Sequence, residues 1–197
     1  MNIAICTPVH GEPRGRFASS INRLIAHTLH ERRDVRLDPL MQESSSLPDL
    51  RQSLAELALS RGNEAILWAD ADHIVPEDAL LRLLAHDVPV AGCNYLKRDG
   101  SGPTAATIDA GGRAEFVGLG QGLERIGSLG LGFCLTRASV YSRIPKPWFE
   151  FARNREGRRI TEDAFFFIRL REAGVPAYVD NDLSREIGHL AERVLRF

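Results

Sequence analysis

The sequence has little of what marks membrane, secreted or nucleic-acid-binding proteins. No apolar run in its 197 residues reaches the roughly 18 residues that a membrane-spanning helix requires. The chain opens directly on a strand-like segment, without the charged and long apolar regions of a signal peptide. Its 25 basic and 26 acidic residues nearly cancel and form no basic block, which argues against a nucleic-acid partner. These absences predict a cytoplasmic protein without a transmembrane segment.

Cysteine is also scarce. The three cysteines, Cys6, Cys93 and Cys134, have apolar neighbours and no CxxC spacing. This pattern predicts buried free thiols rather than a disulfide or a zinc site. With 44% hydrophobic and 26% charged residues, the composition is that of a globular protein, and the length suits a single compact domain over residues 1–197.

Short apolar segments alternate with segments of helical periodicity along the chain. This alternation predicts an α/β fold with a mostly parallel, mixed sheet flanked by helices. The proline at position 8 is expected to end the first strand. Glycine-rich sequence between residues 99 and 132 predicts short strands or a hairpin, a small antiparallel excursion from the sheet. Strands are predicted at 2–6, 35–40, 64–69, 88–93, 132–136 and 177–179. Helices are predicted at 16–32, 49–60, 79–86, 161–173 and within 183–196, and a short helix is predicted to begin at 137.

The segment Ile66-Leu67-Trp68-Ala69-Asp70-Ala71-Asp72 is the strongest local motif. An apolar strand ends here in two carboxylates at positions i and i+2, which an extended chain places on the same side. Two carboxylates this close repel each other unless a cation or hydrogen bonds compensate them. Oxygen ligands at the carboxyl end of an α/β strand suit Mg²⁺ or Mn²⁺ bound to a diphosphate. A solvated turn is the alternative, since Asp is common where strands end.

This DxD segment and five others, spread in order over nearly the whole chain, resemble the motifs of GT-A glycosyltransferases, particularly the family-2-like group. In that family an Arg-Asn pair often opens the helix in which this chain has Arg51-Gln52, so Gln52 departs from the pattern. The other segments are Ile3-Ala4-Ile5-Cys6-Thr7-Pro8-Val9, Gly130-Leu131-Gly132-Phe133-Cys134-Leu135-Thr136-Arg137, Thr161-Glu162-Asp163 and Ile187-Gly188-His189. The resemblance implies a GT-A (Rossmann-like) fold with a nucleotide-binding half over about 1–98 and an acceptor-side half over about 99–197.

The resemblance also implies a divalent metal site. Its ligands would be Asp70, Asp72 and His189, with Asp70 either sharing the ion or holding the ribose. A histidine ligand is tolerated better by Mn²⁺ than by Mg²⁺, so Mn²⁺ is the expected ion. For His189, a surface position on a last helix is the alternative.

The catalytic and binding roles follow from the same resemblance. Asp163 would be the general base that deprotonates the acceptor hydroxyl, with Glu162 as its partner. Two acids in the first turn of a helix are also ordinary dipole stabilisation, which is the alternative for this pair. The resemblance further places Thr7, Pro8 and Arg51 near the nucleotide and Gly132 at the donor sugar. Trp148 is expected either to stack on a sugar ring or to pack in its loop.

The implied activity is a metal-dependent, hexosyl-type glycosyl transfer with inversion. The donor would be a nucleotide diphosphate sugar and the acceptor a hydroxyl of a glycan, a lipid-linked molecule or a protein. Two alternatives are a non-catalytic nucleotide-sugar or glycan-binding module of the same fold, and a sugar nucleotidyltransferase. The latter would be expected to have a glycine-rich basic loop after the first strand, and residues 10–16 are only a partial match. A homo-oligomer is possible, because the chain leaves little room for an acceptor lobe.

Overall fold

A computed structural model describes residues 1–109, 111–154 and 156–190 of the chain. Within these residues the strands are β1 (Asn2–Val9), β2 (Arg36–Glu43), β3 (Ala65–Ala69), β4 (His73–Ile74), β5 (Val90–Gly92), β6 (Ala106–Ile108), β7 (Ala114–Phe116), β8 (Leu123–Ile126), β9 (Phe133–Arg137), β10 (Ala152–Arg153), β11 (Arg159–Ile160), β12 (Ala177–Asp180) and β13 (Gly188–His189). The helices are α1 (Gly15–Glu31), α2 (Leu47–Ser60), α3 (Ala79–Ala85), α4 (Ala138–Arg143), α5 (Glu162–Glu172) and α6 (Asn181–Ser184). The part of the helix predicted for 191–196 lies outside the described residues.

A seven-stranded sheet with the order β2-β1-β3-β9-β5-β12-β8 forms the centre of the fold. Five of its strands run parallel to one another, whereas β9 and β8 are antiparallel to their neighbours. The pairs β10-β11, β13-β4 and β6-β7 lie outside this sheet. The predicted α/β class, with a mostly parallel mixed sheet and flanking helices, is confirmed.

The apolar strand β3 explains how the sheet is buried. All five of its residues are inaccessible to solvent. Because side chains alternate across a strand, Ile66 and Trp68 join one hydrophobic core, and Ala65, Leu67 and Ala69 join a second. Helices cover both faces of the sheet, and the carboxyl end of β3 emerges from its middle.

Two strands differ from the sequence prediction. The strand β1 does not end at Pro8 but continues to Val9, because its pairing with β3 stops at Cys6 while its pairing with β2 continues through Pro8. An antiparallel contribution was expected from residues 99–132, and β6, β7 and β8 provide it. The strand β9 is also antiparallel, although it lies inside the sheet between β3 and β5.

Cys6, Cys93 and Cys134 are free and buried, as expected. In the described part of the chain, no helix combines the length and the apolar composition needed to cross a bilayer.

Candidate active site

A cleft of about 800 Å³ opens at the carboxyl end of β3. Asp70 and Asp72 line it from the loop after β3, Pro8 lines it from β1, and Arg98 lines it from the loop after β5. The backbone N–H of Asp70 donates to the carbonyl of Gly132, 2.9 Å away, which ties this loop to the start of β9. The structure therefore brings Pro8 and both predicted aspartates to one cavity.

Three potential metal ligands converge beside this cleft. The ligand atoms of Asp72, His73 and His189 lie within 4.8 Å of one another. The short strands that carry the histidines pair directly, with His189 opposite His73, and the two imidazole rings stack with centroids 4.6 Å apart. His189 therefore lies on a strand rather than on a last helix. Asp70 does not belong to this cluster.

The hydrogen bond of His189 determines which of its nitrogens can face a cation. Its Nδ1 lies 2.7 Å from the carbonyl oxygen of Leu96, which can only accept, so the Nδ1 proton is used there. Its Nε2 lies 3.3 Å from Oδ2 of Asp72. A carboxylate this near Nε2 requires a proton or a metal cation between them, and accordingly the contact with Asp72 raises the pKa of His189.

His73 provides the test of whether a metal fits. Its side chain is 1% exposed, and neither ring nitrogen has a hydrogen-bond partner among the described residues. Its Nδ1 lies 3.1 Å from Oδ1 of Asp72, without hydrogen-bond geometry. Burial opposes the charge of Asp72, but the contacts with His189 and His73 outweigh it and lower the pKa of this carboxyl. An ionised carboxylate beside unsatisfied imidazole nitrogens is a donor set that fits a divalent transition-metal ion.

Arg98 also contacts the cluster. Its guanidinium donates to Oδ2 of Asp72, while its side chain remains 63% exposed. A planar, solvent-facing guanidinium at the rim of the cleft is suited to binding a phosphate group.

A second network joins Asp70 to the helix α5. The guanidinium of Arg51 donates to both carboxylate oxygens of Asp70, at 2.9 and 3.1 Å, and to Oε1 of Glu162 at 3.3 Å. Arg51 is only 2% exposed, so it contacts these two carboxylates rather than the open cleft. Burial works against its charge, but Asp70, Glu162 and Asp163 outweigh that effect and raise its pKa. The arginine thus connects the end of β3 to the first turn of α5.

The two predicted catalytic acids differ in environment. Glu162 is 5% exposed, and burial raises its pKa despite the opposing effect of Arg51. Asp163 is partly exposed, and its Oδ1 accepts hydrogen bonds from the hydroxyl of Thr161 and from the backbone N–H of Ala164. No described residue donates to its Oδ2. The geometry therefore leaves Asp163, rather than Glu162, with an available carboxylate oxygen.

Tyr95 lies between these two networks. Its ring contacts both His73 and His189, with centroids 4.3 and 5.5 Å away. Burial, followed by the charges of Asp70 and Asp163, raises the pKa of its hydroxyl well above the usual value. The backbone N–H of Gly132 donates to this hydroxyl at 2.8 Å.

The remaining predicted residues are described by their solvent exposure and their contacts. Thr7 is 3% exposed on β1 and so is buried beside the cleft. Trp148 is 6% exposed and its ring contacts Tyr141 in the core, which corresponds to packing and not to an open sugar platform. Gln52 accepts a hydrogen bond from the backbone N–H of Trp148 at 2.9 Å, so the departure from the family pattern has a structural role.

Three site residues were missed in the sequence. His73 directly follows Asp72, and an imidazole next to a candidate metal-binding motif is a signal that could have identified it. Tyr95 and Arg98 had no comparable signal, because they reach the site only through the path of the loop after β5.

The comparisons with known proteins concern the fold. No model of a known protein family and no curated protein matches the sequence. Among solved structures, A197 from STIV matches with a TM-score of 0.57 and 15% identity, over 100% of this chain and 98% of that one. A Drosophila beta-1,4-galactosyltransferase 7 mutant, in complex with manganese, UDP-Gal and xylobiose, matches with a TM-score of 0.54 and 17% identity, over 98% of this chain and 71% of that one. The expected resemblance is confirmed at the level of architecture: the chain has a GT-A-like fold.

Proposed function

We propose that this protein is a metal-dependent glycosyltransferase, which moves a sugar from a nucleotide diphosphate sugar to a hydroxyl acceptor with inversion. The observation that carries the proposal is the cluster of Asp72, His73 and His189 beside the cleft at the carboxyl end of β3. Open α/β sheets bind their ligands at this end of the strands. The galactosyltransferase with a similar fold was solved with manganese and UDP-Gal, which supports the same ligand classes here.

Asp72 and His189 would hold the divalent ion, with His73 as a further nitrogen donor. One carboxylate and two imidazoles favour Mn²⁺ over Mg²⁺, because Mg²⁺ prefers a shell of oxygen ligands. When bound, such an ion acts as a Lewis acid that stabilises the negative charge of the departing nucleotide diphosphate. Arg98 would bind the diphosphate from the rim of the cleft.

Asp163 would act as the general base. Its Oδ1 is held by Thr161 and Ala164, so that Oδ2 can accept the proton of the acceptor hydroxyl. The deprotonated oxygen then forms the new bond to the anomeric carbon while the bond to the diphosphate breaks on the opposite face, which inverts the configuration. Arg51 holds Glu162 and Asp70. Glu162 would thereby position the base Asp163, and Asp70 would position the loop that carries Asp72.

Donor binding tests the metal site. We expect Mn²⁺ together with a UDP-, GDP- or dTDP-sugar to raise the melting temperature, with a smaller rise for Mg²⁺ and none in EDTA. Asp72→Asn should abolish the metal-dependent rise, whereas Asp182→Asn, which removes the same charge from an exposed site, should retain it. Full metal-dependent binding by Asp72→Asn would contradict the assignment.

Turnover separates the enzyme from a binding module of the same fold. Release of the nucleotide diphosphate can be measured with water as the acceptor or with a panel of sugar acceptors. We expect Asp163→Asn to slow release by about 10²–10⁴-fold, the usual contribution of a general base, while the Kd for donor and Mn²⁺ stays the same. Donor binding without any release by the unmodified protein would favour the non-catalytic alternative.

A further inference from the structure

The strands β10 and β11 pair into a hairpin, here called the basic hairpin, whose described residues are 151–154 and 156–160; both of its ends lead into segments that contact the proposed active site. Two residues before its start, the ring of Phe149 packs edge-on against Trp68, with centroids 5.4 Å apart, and Trp68 lies two residues before Asp70. At its end, β11 leads directly into Thr161 and then Glu162, which binds Arg51. The hairpin is therefore an exposed segment that directly precedes the candidate catalytic base.

Charge is concentrated in this hairpin, although the chain as a whole is balanced. Residues 151–160 include four arginines and one glutamate, against 25 basic and 26 acidic residues overall. Arg153, Arg158 and Arg159 are exposed, and Arg155 lies outside the described residues. Arg153 donates to the carbonyl of Gly157 within the hairpin, and Arg158 pairs with Glu156 at 3.2 Å. The hairpin thus has an excess of positive charge facing solvent.

An exposed aromatic ring accompanies these charges. Phe151 is 43% exposed, and the guanidinium of Arg159 lies 4.2 Å from the centroid of its ring. An apolar ring next to arginines is the combination that enters the boundary between lipid headgroups and acyl chains. A charged polysaccharide would use the arginines but would gain little from the phenyl ring. A nucleic acid could stack its bases on the ring, but the balanced charge of the chain argues against that partner, so the pair favours a lipid surface.

We propose that the basic hairpin docks on an anionic lipid surface and that the acceptor is lipid-linked. This inference rests on the proposed function only for the identity of the acceptor. Arg159 and Asp163 are four residues apart, so their Cα atoms are at most about 15 Å apart, since successive Cα atoms lie about 3.8 Å apart. A hairpin seated among the headgroups therefore keeps Asp163 close to a hydroxyl carried at the membrane surface.

Vesicle co-sedimentation of the full chain tests the docking. We expect binding to vesicles of equal parts phosphatidylcholine and phosphatidylglycerol, no binding to phosphatidylcholine alone, and release as NaCl is raised. The double variant Arg158→Gln/Arg159→Gln should bind about thirty-fold more weakly, the effect of two arginines near an anionic surface. Arg153 stays unchanged because its bond to Gly157 holds the hairpin together.

A matched control and a second variant keep the test specific. Arg33→Gln/Arg36→Gln removes the same charge from exposed positions beside the start of β1, at the end of the strand away from the cleft. This variant should bind vesicles as the unmodified protein does. Phe151→Ser should weaken vesicle binding without changing its dependence on NaCl. Equal losses in both double variants, or no loss in Arg158→Gln/Arg159→Gln, would overturn the proposal.

Ligands of the basic hairpin other than a lipid surface would give different results. Binding of heparin or of an oligonucleotide without vesicle binding would overturn the lipid assignment in favour of a soluble polyanion. Release by inorganic phosphate beyond the effect of NaCl at equal ionic strength would indicate a free-phosphate site instead. Mn²⁺ and UDP binding is measured on the same samples. If the unmodified protein binds Mn²⁺ and UDP but no vesicles, this inference is contradicted; if it binds vesicles but no UDP, the proposed function is contradicted.

Discussion

Arg51 has the most constrained position among the charged residues of the site. It is almost fully buried and forms ion pairs with both Asp70 and Glu162, which lie 92 residues apart in the sequence. The family resemblance assigned it to the nucleotide, but a side chain with 2% exposure acts through the carboxylates that it holds. We propose that it positions Asp70 and the first turn of α5 relative to each other, and that any effect on the nucleotide is exerted through these carboxylates.

Replacing this cation tests that role. Arg51→Met should lower the free energy of unfolding by about 3–5 kcal/mol, because removing one partner of a buried ion pair leaves the others uncompensated. Urea denaturation followed by circular dichroism measures the loss. The exposed pair of Arg32 and Asp34 is the control, and Arg32→Met should cost much less.

A double-mutant cycle tests the ion pair of Arg51 with Glu162. Glu162→Gln should destabilise the unmodified protein more than it destabilises Arg51→Met, since the arginine is then already absent. Additive effects would show that Arg51 and Glu162 do not interact in solution.

Gly132 is required by close packing. A Cβ at this position would lie 2.5 Å from the Tyr95 hydroxyl and 2.7 Å from Nε2 of His73. Gly132→Ala should therefore cost about 1–3 kcal/mol of stability, as overpacking does, and should weaken Mn²⁺ binding measured by calorimetry. Gly188→Ala is the matched control, because the nearest atom to its Cβ would be Ile74 Cβ at an ordinary 3.5 Å. Unchanged metal affinity in Gly132→Ala would argue against a metal site next to His73.

The sequence allowed part of this site to be predicted. Asp72 and His189 could be identified because each lies in a short sequence motif that resembles a motif of the GT-A family. Tyr95 and Arg98 were not, because their contacts depend on how the loop after β5 folds back over the cleft. The burial of Arg51 was equally hidden, since it results from contacts with residues 19 and 111 positions away.

At the scale of elements, the positions of the strands along the chain were easier to predict than their neighbours and directions in the sheet. The apolar runs that became β3, β5 and β9 were all recognised as core strands, because burial on both faces removes polar residues from them. Nothing in such a run specifies its neighbour, so the antiparallel insertion of β9 between β3 and β5 could not be seen. The extension of β1 through Pro8 was missed because it depends on pairing with β2 alone.

The helix α5 connects the proposed base Asp163 to the core, and the contributions of its aromatic residues can be separated by mutation. Phe166 is fully buried and stacks on Phe149 with centroids 5.0 Å apart. Phe166→Ala should cost about 3–5 kcal/mol, the usual loss for a buried phenyl group. Phe165 is only partly buried, over Arg169, so Phe165→Ala should cost clearly less in the same denaturation experiment. Equal losses would mean that α5 packs through a different face.

At the scale of the whole molecule, the two halves inferred from the sequence share one sheet. The strand β9, from the later half, lies between β3 and β5 of the earlier half, and β12 pairs with β5. Residues 1–98 alone would therefore lack the strand that joins β3 to β5. The two tryptophans, one in each half, also belong to the same hydrophobic core.

This interleaving predicts that the halves unfold together. Trp68→Phe leaves Trp148 as a probe of the later half, and Trp148→Phe leaves Trp68 as a probe of the earlier half. In each variant, the fluorescence transition in urea should coincide with the transition of the far-UV circular dichroism, as expected for a two-state domain. Because each substitution also changes the stability, the comparison is made between the two signals of one variant. If the fluorescence transition precedes the dichroism transition in one variant, the half that carries the remaining tryptophan unfolds first. The chain would then contain two folding units, although their strands share one sheet.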